Sequence, residues 1–183
     1  MRIGANMIAN PRPFFLPGRL AFDRGTAADY RHLERFHYVP ARPATFAGVA
    51  VCRFVPDAGP ARVVGVAVLS WPSALNRTRH RVFGLRPMRF GNRLRWVNAN
   101  VRTVSRVIVH PQFRSLGLST QLIEQAVAMC PTPFVEASAR MGRAHPLFER
   151  AGFTRVEPET PAEPLYFWRE TSGSLSRVLA GEG

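Results

Sequence analysis

Three stretches of the chain carry residues whose types and spacing suit chemistry. In "VHPQFRSLGLSTQLIEQA", residues 109 to 126, an apolar run meets a proline, turns through a glycine and enters a helix-like pattern. The first N–H groups of such a helix lack partners in the chain, point outward and bind phosphate oxygens. Gly117 lets a ligand approach the main chain, Arg114 adds positive charge beside it, and Ser119 can donate from the first turn. Read from the residues alone, this is a phosphate cradle; a plain strand–turn–helix joint is the other reading of its glycine. In "PFVEAS", Glu136 sits inside an apolar strand-like run. An unpaired carboxylate is costly there, so Glu136 either faces a cleft as an acid–base group or pairs with an arginine. The third stretch, "WPSALNRTRHRVFGLRPMRFGNRLRWVNANVR" (71 to 102), interleaves arginines with Trp71, Phe83, Phe90 and Trp96. Arginines hold phosphates and aromatic rings stack on exposed bases, the composition of a surface for DNA or RNA. Arg77, Arg79, Arg81, Arg89, Arg93, Arg95 and Trp96 are the expected contacts.

Charge supports that last reading. The formal balance is +13, all 25 basic residues are arginine, and no acidic residue falls between Asp57 and Glu124. GC-rich coding explains arginine over lysine, but not the segregation, and such a field attracts polyanions. Cys52 and Cys130 are too few for a disulfide framework or a self-sufficient zinc site, and nothing in the sequence resembles a metal site. His110 beside Pro111 and His145 read as turn and helix-start residues.

The elements that must hold these residues follow from periodicity. With 183 residues and 46% hydrophobic content the chain fits one domain, expected at 18–171 after an arm at 1–17 and before a frayed tail at 172–183. No apolar run approaches the ~20 residues of a membrane helix, and no signal-like apolar centre opens the chain, so the expectation is a cytoplasmic protein without membrane contact. "RLAFD" (19 to 23) reads as a strand. Thr26 and Asp29 form a capping box for a helix carrying Tyr30, Leu33 and Phe36 or His37 and ending near Tyr38. Residues 44–54 and 61–70 read as a hairpin around "VPDAGP". From 71 to 100 the prolines and glycines suggest a basic insertion or long loop with at most short elements. A strand resumes at 101–110, the cradle and a helix over about 118–129 follow, then a strand at 133–138, a short helix within 143–153 and two closing strands.

Quoted together, "VIVHPQFRSLGLSTQLIEQA" and "AHPLFERAGF" resemble the GCN5-related N-acetyltransferases (GNAT), over roughly residues 19 to 168. The first resembles that family's coenzyme A motif, with Arg114, Gly117 and Ser119 at its key positions and serine filling the last small one. The resemblance implies an α/β (α+β) GNAT fold, a mixed and mostly antiparallel sheet splayed between the strands at 101–110 and 133–138. Acetyl-CoA or another acyl-CoA would lie in the gap. Its pyrophosphate would sit on the amides of Ser115, Leu116, Gly117, Leu118 and Ser119, and its pantetheine would pair with the main chain near Ile108 and Val109. The family's usual thiolate-protonating tyrosine corresponds to Phe148, and the strand at 101–110 lacks the glutamate many relatives use as base. Glu136, Ser105, His37 and Tyr38 remain as catalytic candidates. "LERFHYVPARP" with the two downstream motifs also resembles acetyltransferase-like domains beside ABC-type ATPases and, more distantly, the phage Mom group that carbamoylmethylates DNA adenine. The functions implied are an N-acyltransferase acting on an amine carried by nucleic acid, a Mom-like DNA modification, or a non-catalytic nucleic-acid-binding module. An ABC-type ATPase partner and a homodimer are further implications of the resemblance.

Overall fold

The computed structural model describes residues 17–37 and 41–171; Tyr38, the expected tail and all of the expected arm except Pro17 lie outside them. The described chain runs β1 (Gly18–Arg24), α1 (Ala27–Leu33), β2 (Gly48–Pro56), β3 (Arg62–Ser70), α2 (Arg77–Val82), α3 (Phe90–Asn100), β4 (Val101–Val109), α4 (Leu118–Ala128), β5 (Phe134–Ala139), α5 (Leu147–Arg150), β6 (Thr154–Val156) and β7 (Leu165–Glu170). Thr26 and Asp29 form the expected reciprocal capping box of α1. That helix closes earlier than expected, at Leu33, and a 3-10 turn over Glu34–Phe36 continues it. No described helix is long and apolar enough to cross a membrane.

The seven strands form one sheet in the order β1-β2-β3-β4-β5-β7-β6. Every described pairing is antiparallel except β4 with β5, which run parallel and pair only from Val101 to Thr103 against Phe134 to Glu136. Past that point β5 stays with β7 through Ala139 while β4 stays with β3, so the two strands part. The splayed, mostly antiparallel sheet is the expected architecture. On β4 the register against β3 slips between Val68 and Leu69, leaving Ser105 as the extra residue of a bulge. A bulge bends its strand and re-aims the neighbouring side chains, here at the start of the parted stretch.

Helices cover both faces. Tyr30 and Leu33 of α1 pack on Val49, Val51, Val66, Val68 and Ile108. Leu118, Leu122, Ile123, Ala126 and Val127 of α4 fill the opposite face against Ala50, Cys52, Ala67 and Val104. Gly65 fixes how closely α4 lies on β3, because a Cβ at that position would come within 2.7 Å of Leu122 Cδ1.

Residues 71–100 depart from the loop expected there, for α2 and α3 occupy most of the segment. Asn76 caps α2 by accepting from the Arg79 N–H. Gly84, at φ +64°, closes it in the left-handed region, with Leu85 N–H returning to His80 O at 2.8 Å. The glycine that looked like a loop signal is therefore a helix stop, and arginine is a good helix former between such signals.

Candidate active site

The turn before α4 has the geometry of an anion cradle. Gly117 lies at φ +75° and Ser115 at φ +66°, so consecutive amides of the turn face a common concavity. Among the described residues no side chain caps α4; the Thr120 and Gln121 amides bond to Gly117 O, and the earlier amides stay available. A Cβ on Gly117 would meet nothing within 4 Å. Arg114, exposed, reaches back to donate from Nε to Val109 O at 3.4 Å. His110 N–H bonds to Val64 O on β3, so strand alternation turns the peptides of Val107 and Val109 toward the parted side and that of Ile108 toward β3. Main-chain pairing along the gap therefore belongs to Val107 and Val109, a shift of one residue from the expected Ile108. The cradle thus adjoins a strand edge that β5 has left.

Where β4 and β5 part sits a buried charged network. Thr103 and Glu136 are the last register pair of the two strands. Glu136 is 3% exposed and Arg79 of α2 is 0% exposed. Arg79 Nη1 donates to Glu136 Oε1 at 2.9 Å, Thr103 Oγ1 to the same oxygen at 2.8 Å, and Tyr166 Oη to Oε2 at 2.8 Å. Arg79 Nη2 also donates to Ser73 O. Burial, with the Glu136 charge beside it, pushes the Tyr166 hydroxyl far up, so it stays a donor. Of the two roles open to Glu136, pairing with an arginine is the one realised: both oxygens are occupied.

Beside this network lies a cavity of about 330 Å³, lined by the start of α2 (Asn76, Arg77, Thr78), by Ser138 of β5, and by Glu163, Pro164 and Tyr166 of the β6–β7 connection and β7. Its β5 residue, Ser138, lies beyond Glu136, the last residue of β5 that pairs with β4.

Residues 94–168 match the family described as acetyltransferase (GNAT) domain. That match spans most of α3 through β7 and includes the cradle and both parted strands. Solved structures share the fold. The Escherichia coli GNAT family N-acetyltransferase YhbS, in complex with CoA, is 13% identical with a TM-score of 0.55, over 90% of this chain and 86% of its own. Arabidopsis thaliana NAA60, in complex with acetyl-CoA, is 14% identical with a TM-score of 0.53, over 82% of this chain and 97% of its own. No curated protein sequence matches.

The other expected residues fall as follows on this GNAT fold. Ser105, on the bulge, shares a 2.7 Å hydrogen bond with Ser70 Oγ and donates to Val68 O at 3.3 Å. His37 is half-buried after the 3-10 turn, its N–H on Glu34 O. Phe148, in the position of the family's tyrosine, stacks on Phe167 and meets Phe153 edge-on.

Two of the expected nucleic-acid contacts are corrected. Arg79 is enclosed and spent on Glu136, since a fully buried guanidinium cannot reach a phosphate backbone. Trp96 is half-buried in a ring cluster with Phe83 and Phe134, which Trp168 completes. Arg93 is half-buried with its guanidinium over Phe90. Arg77, Arg81, Arg89 and Arg95 are exposed on α2, α3 and their connection, with Phe90 54% and Trp71 47% exposed nearby.

Sequence reasoning missed Thr103, Tyr166 and Glu163. Glu136 did carry a signal: a carboxylate in an apolar strand requires a partner. Nothing in the spacing identified Arg79 among so many arginines.

Proposed function

We propose that the chain is an acyl-coenzyme A-dependent N-acyltransferase whose acceptor is an amine carried by, or bound to, nucleic acid. One observation carries the transferase part: the uncapped start of α4 follows the stretch of β4, Val104 to Val109, whose edge β5 has left, so an anion site and a free strand edge lie in succession. The residues present fit the cofactor. Space above Gly117 is open, amides of Ser115 to Ser119 line the turn, and Arg114 supplies the adjacent positive charge. These would hold the pyrophosphate, and the peptides of Val107 and Val109 would pair with the pantetheine. When bound, acyl-coenzyme A supplies an acyl group activated as a thioester.

The chain's own groups then have limited tasks. The bulge at Ser105 aims the strand's side chains and amides at the point of parting. An alkylamine, with an ordinary pKa near ~10, must lose a proton before it can attack, and the polar cavity wall gives water a route for it. Phe148 cannot donate a proton, so a departing thiolate takes its proton from solvent. Support for the nucleic-acid part is the exposed arginines on α2, α3 and their connection, with Phe90 exposed at the start of α3.

Release of free thiol from acetyl-CoA tests the proposal, measured with aminoacylated tRNA and with an amine-bearing oligonucleotide as acceptors. Thiol release together with acetyl mass on the nucleic acid is expected. Acetyl-CoA that binds without thiol release on any nucleic-acid amine would contradict the acceptor assignment, and acetyl-CoA that fails to bind would contradict the transferase itself.

A further inference from the structure

The cavity beside β5 carries two opposite charges that ignore each other. Arg77 and Glu163 both line it, and among the described residues neither side chain makes a hydrogen bond or ion pair. Among the described residues Asp29, Glu34, Glu136, Glu149, Glu157 and Glu159 pair with arginines, whereas Asp23, Asp57, Glu124 and Glu170 make no ion pair and are exposed to solvent. Glu163 differs from those four in being half-buried on the wall of a cavity. The remaining walls are apolar at Leu75 and Pro164 and hydroxylic at Thr78, Ser138 and Tyr166. At about 330 Å³ the space is at the small end of ligand sites.

Resting on the transferase reading above, we infer that this cavity is an acceptor pocket for a bipolar group: a primary ammonium drawn by Glu163 with a phosphate a few atoms away held by Arg77. The pairing follows from charge. A carboxylate recognises ammonium, a guanidinium recognises phosphate through a fork of N–H donors, and an acceptor with one charge would leave the opposite wall group repelling or unused. Part of the wall is α2, which belongs to the segment between β3 and β4 and is anchored by the buried Arg79–Glu136 pair. That pair holds Arg77 at the cavity mouth, two residues before Arg79 on the same helix. Exposed Arg81, Arg89 and Arg95 extend the positive surface away from the pocket, as a phosphate-linked strand would require.

Calorimetry with aminohexyl phosphate, hexyl phosphate and aminohexanol separates the two charges, and aminoethyl phosphate tests the spacing. The wild-type protein should bind an aminoalkyl phosphate roughly tenfold or more tightly than either monofunctional probe, the scale of one charged hydrogen bond. Glu163→Gln should reduce its affinity to that of hexyl phosphate, and Arg77→Gln to that of aminohexanol. Stabilisation by acetyl-CoA should be unchanged in both variants. A 5′-aminohexyl oligonucleotide distinguishes the source: tighter binding than aminohexyl phosphate assigns the amine to a strand, and equal binding assigns it to a small metabolite. Equal binding of all the small probes, no binding of any, or an intact preference in Glu163→Gln would overturn the inference while acetyl-CoA stabilisation still upheld the transferase. Absence of acetyl-CoA stabilisation in the wild type would overturn both.

Discussion

Removing one member of the Arg79–Glu136 pair leaves the other charge enclosed without a counterion, and breaking such a pair costs about 3–5 kcal/mol. Arg79→Met should therefore lower the unfolding midpoint in urea far more than Arg95→Met, whose side chain is exposed; equal effects would show that the network contributes no more than a surface contact. His80, beside Arg79 on α2, adds a pH dependence. Burial lowers its pKa, and the positive charges of Arg79 and Arg93 lower it further. The folded state then resists the proton that the unfolded state accepts near its ordinary value of about 6.5, so stability is full above that pH and declines as pH falls below it. Melting temperature followed from pH 7.5 to 5.5 (about one unit either side of that value) should fall, and His80→Phe should flatten the curve. A drop of the same size in His80→Phe would assign it to other groups.

At the scale of elements, α4 is placed by a glycine on its neighbour rather than by its own cap. Gly65→Leu would drive a side chain into Leu122, and overpacking of this kind costs about 1–3 kcal/mol. The melting temperature should fall, and affinity for coenzyme A should fall with it because the start of α4 moves off the strand edge. Unchanged coenzyme A affinity would separate the cradle from the packing of α4. Strands and α4 were legible because β-branched runs and an 11-residue apolar stripe state their period plainly. The helices at 77–82 and 90–100 were hidden because Gly84, Pro87 and Gly91, which mark loops, fall between or within them, and because α3 is polar overall, with Val97 as its buried residue. The turn into α4 could be read from Pro111 and Gly117; the cavity could not, since Arg77, Ser138 and Glu163 meet only through the sheet order.

For the whole molecule, a balance of +13 concentrated between Asp57 and Glu124 gives a field that draws polyanions, and the folded chain exposes Arg77, Arg81, Arg89 and Arg95 within it. Four phosphate contacts imply that the logarithm of the affinity for a duplex falls against the logarithm of salt with a slope of roughly −3 to −4. A slope near zero, measured by fluorescence anisotropy, would remove nucleic acid from the account. The transferase reading rests on main-chain amides at the start of α4 holding a diphosphate. Calorimetric titration of acetyl-CoA into the wild type and into Gly117→Asp tests it most directly, because aspartate tolerates the left-handed backbone and the space above Gly117 has room for it within the folded chain. The prediction is tight binding by the wild type and a loss of tenfold or more in a variant whose cooperative melting shows it still folded, the scale of a charge placed against the diphosphate. Equal affinity in the two proteins would contradict it.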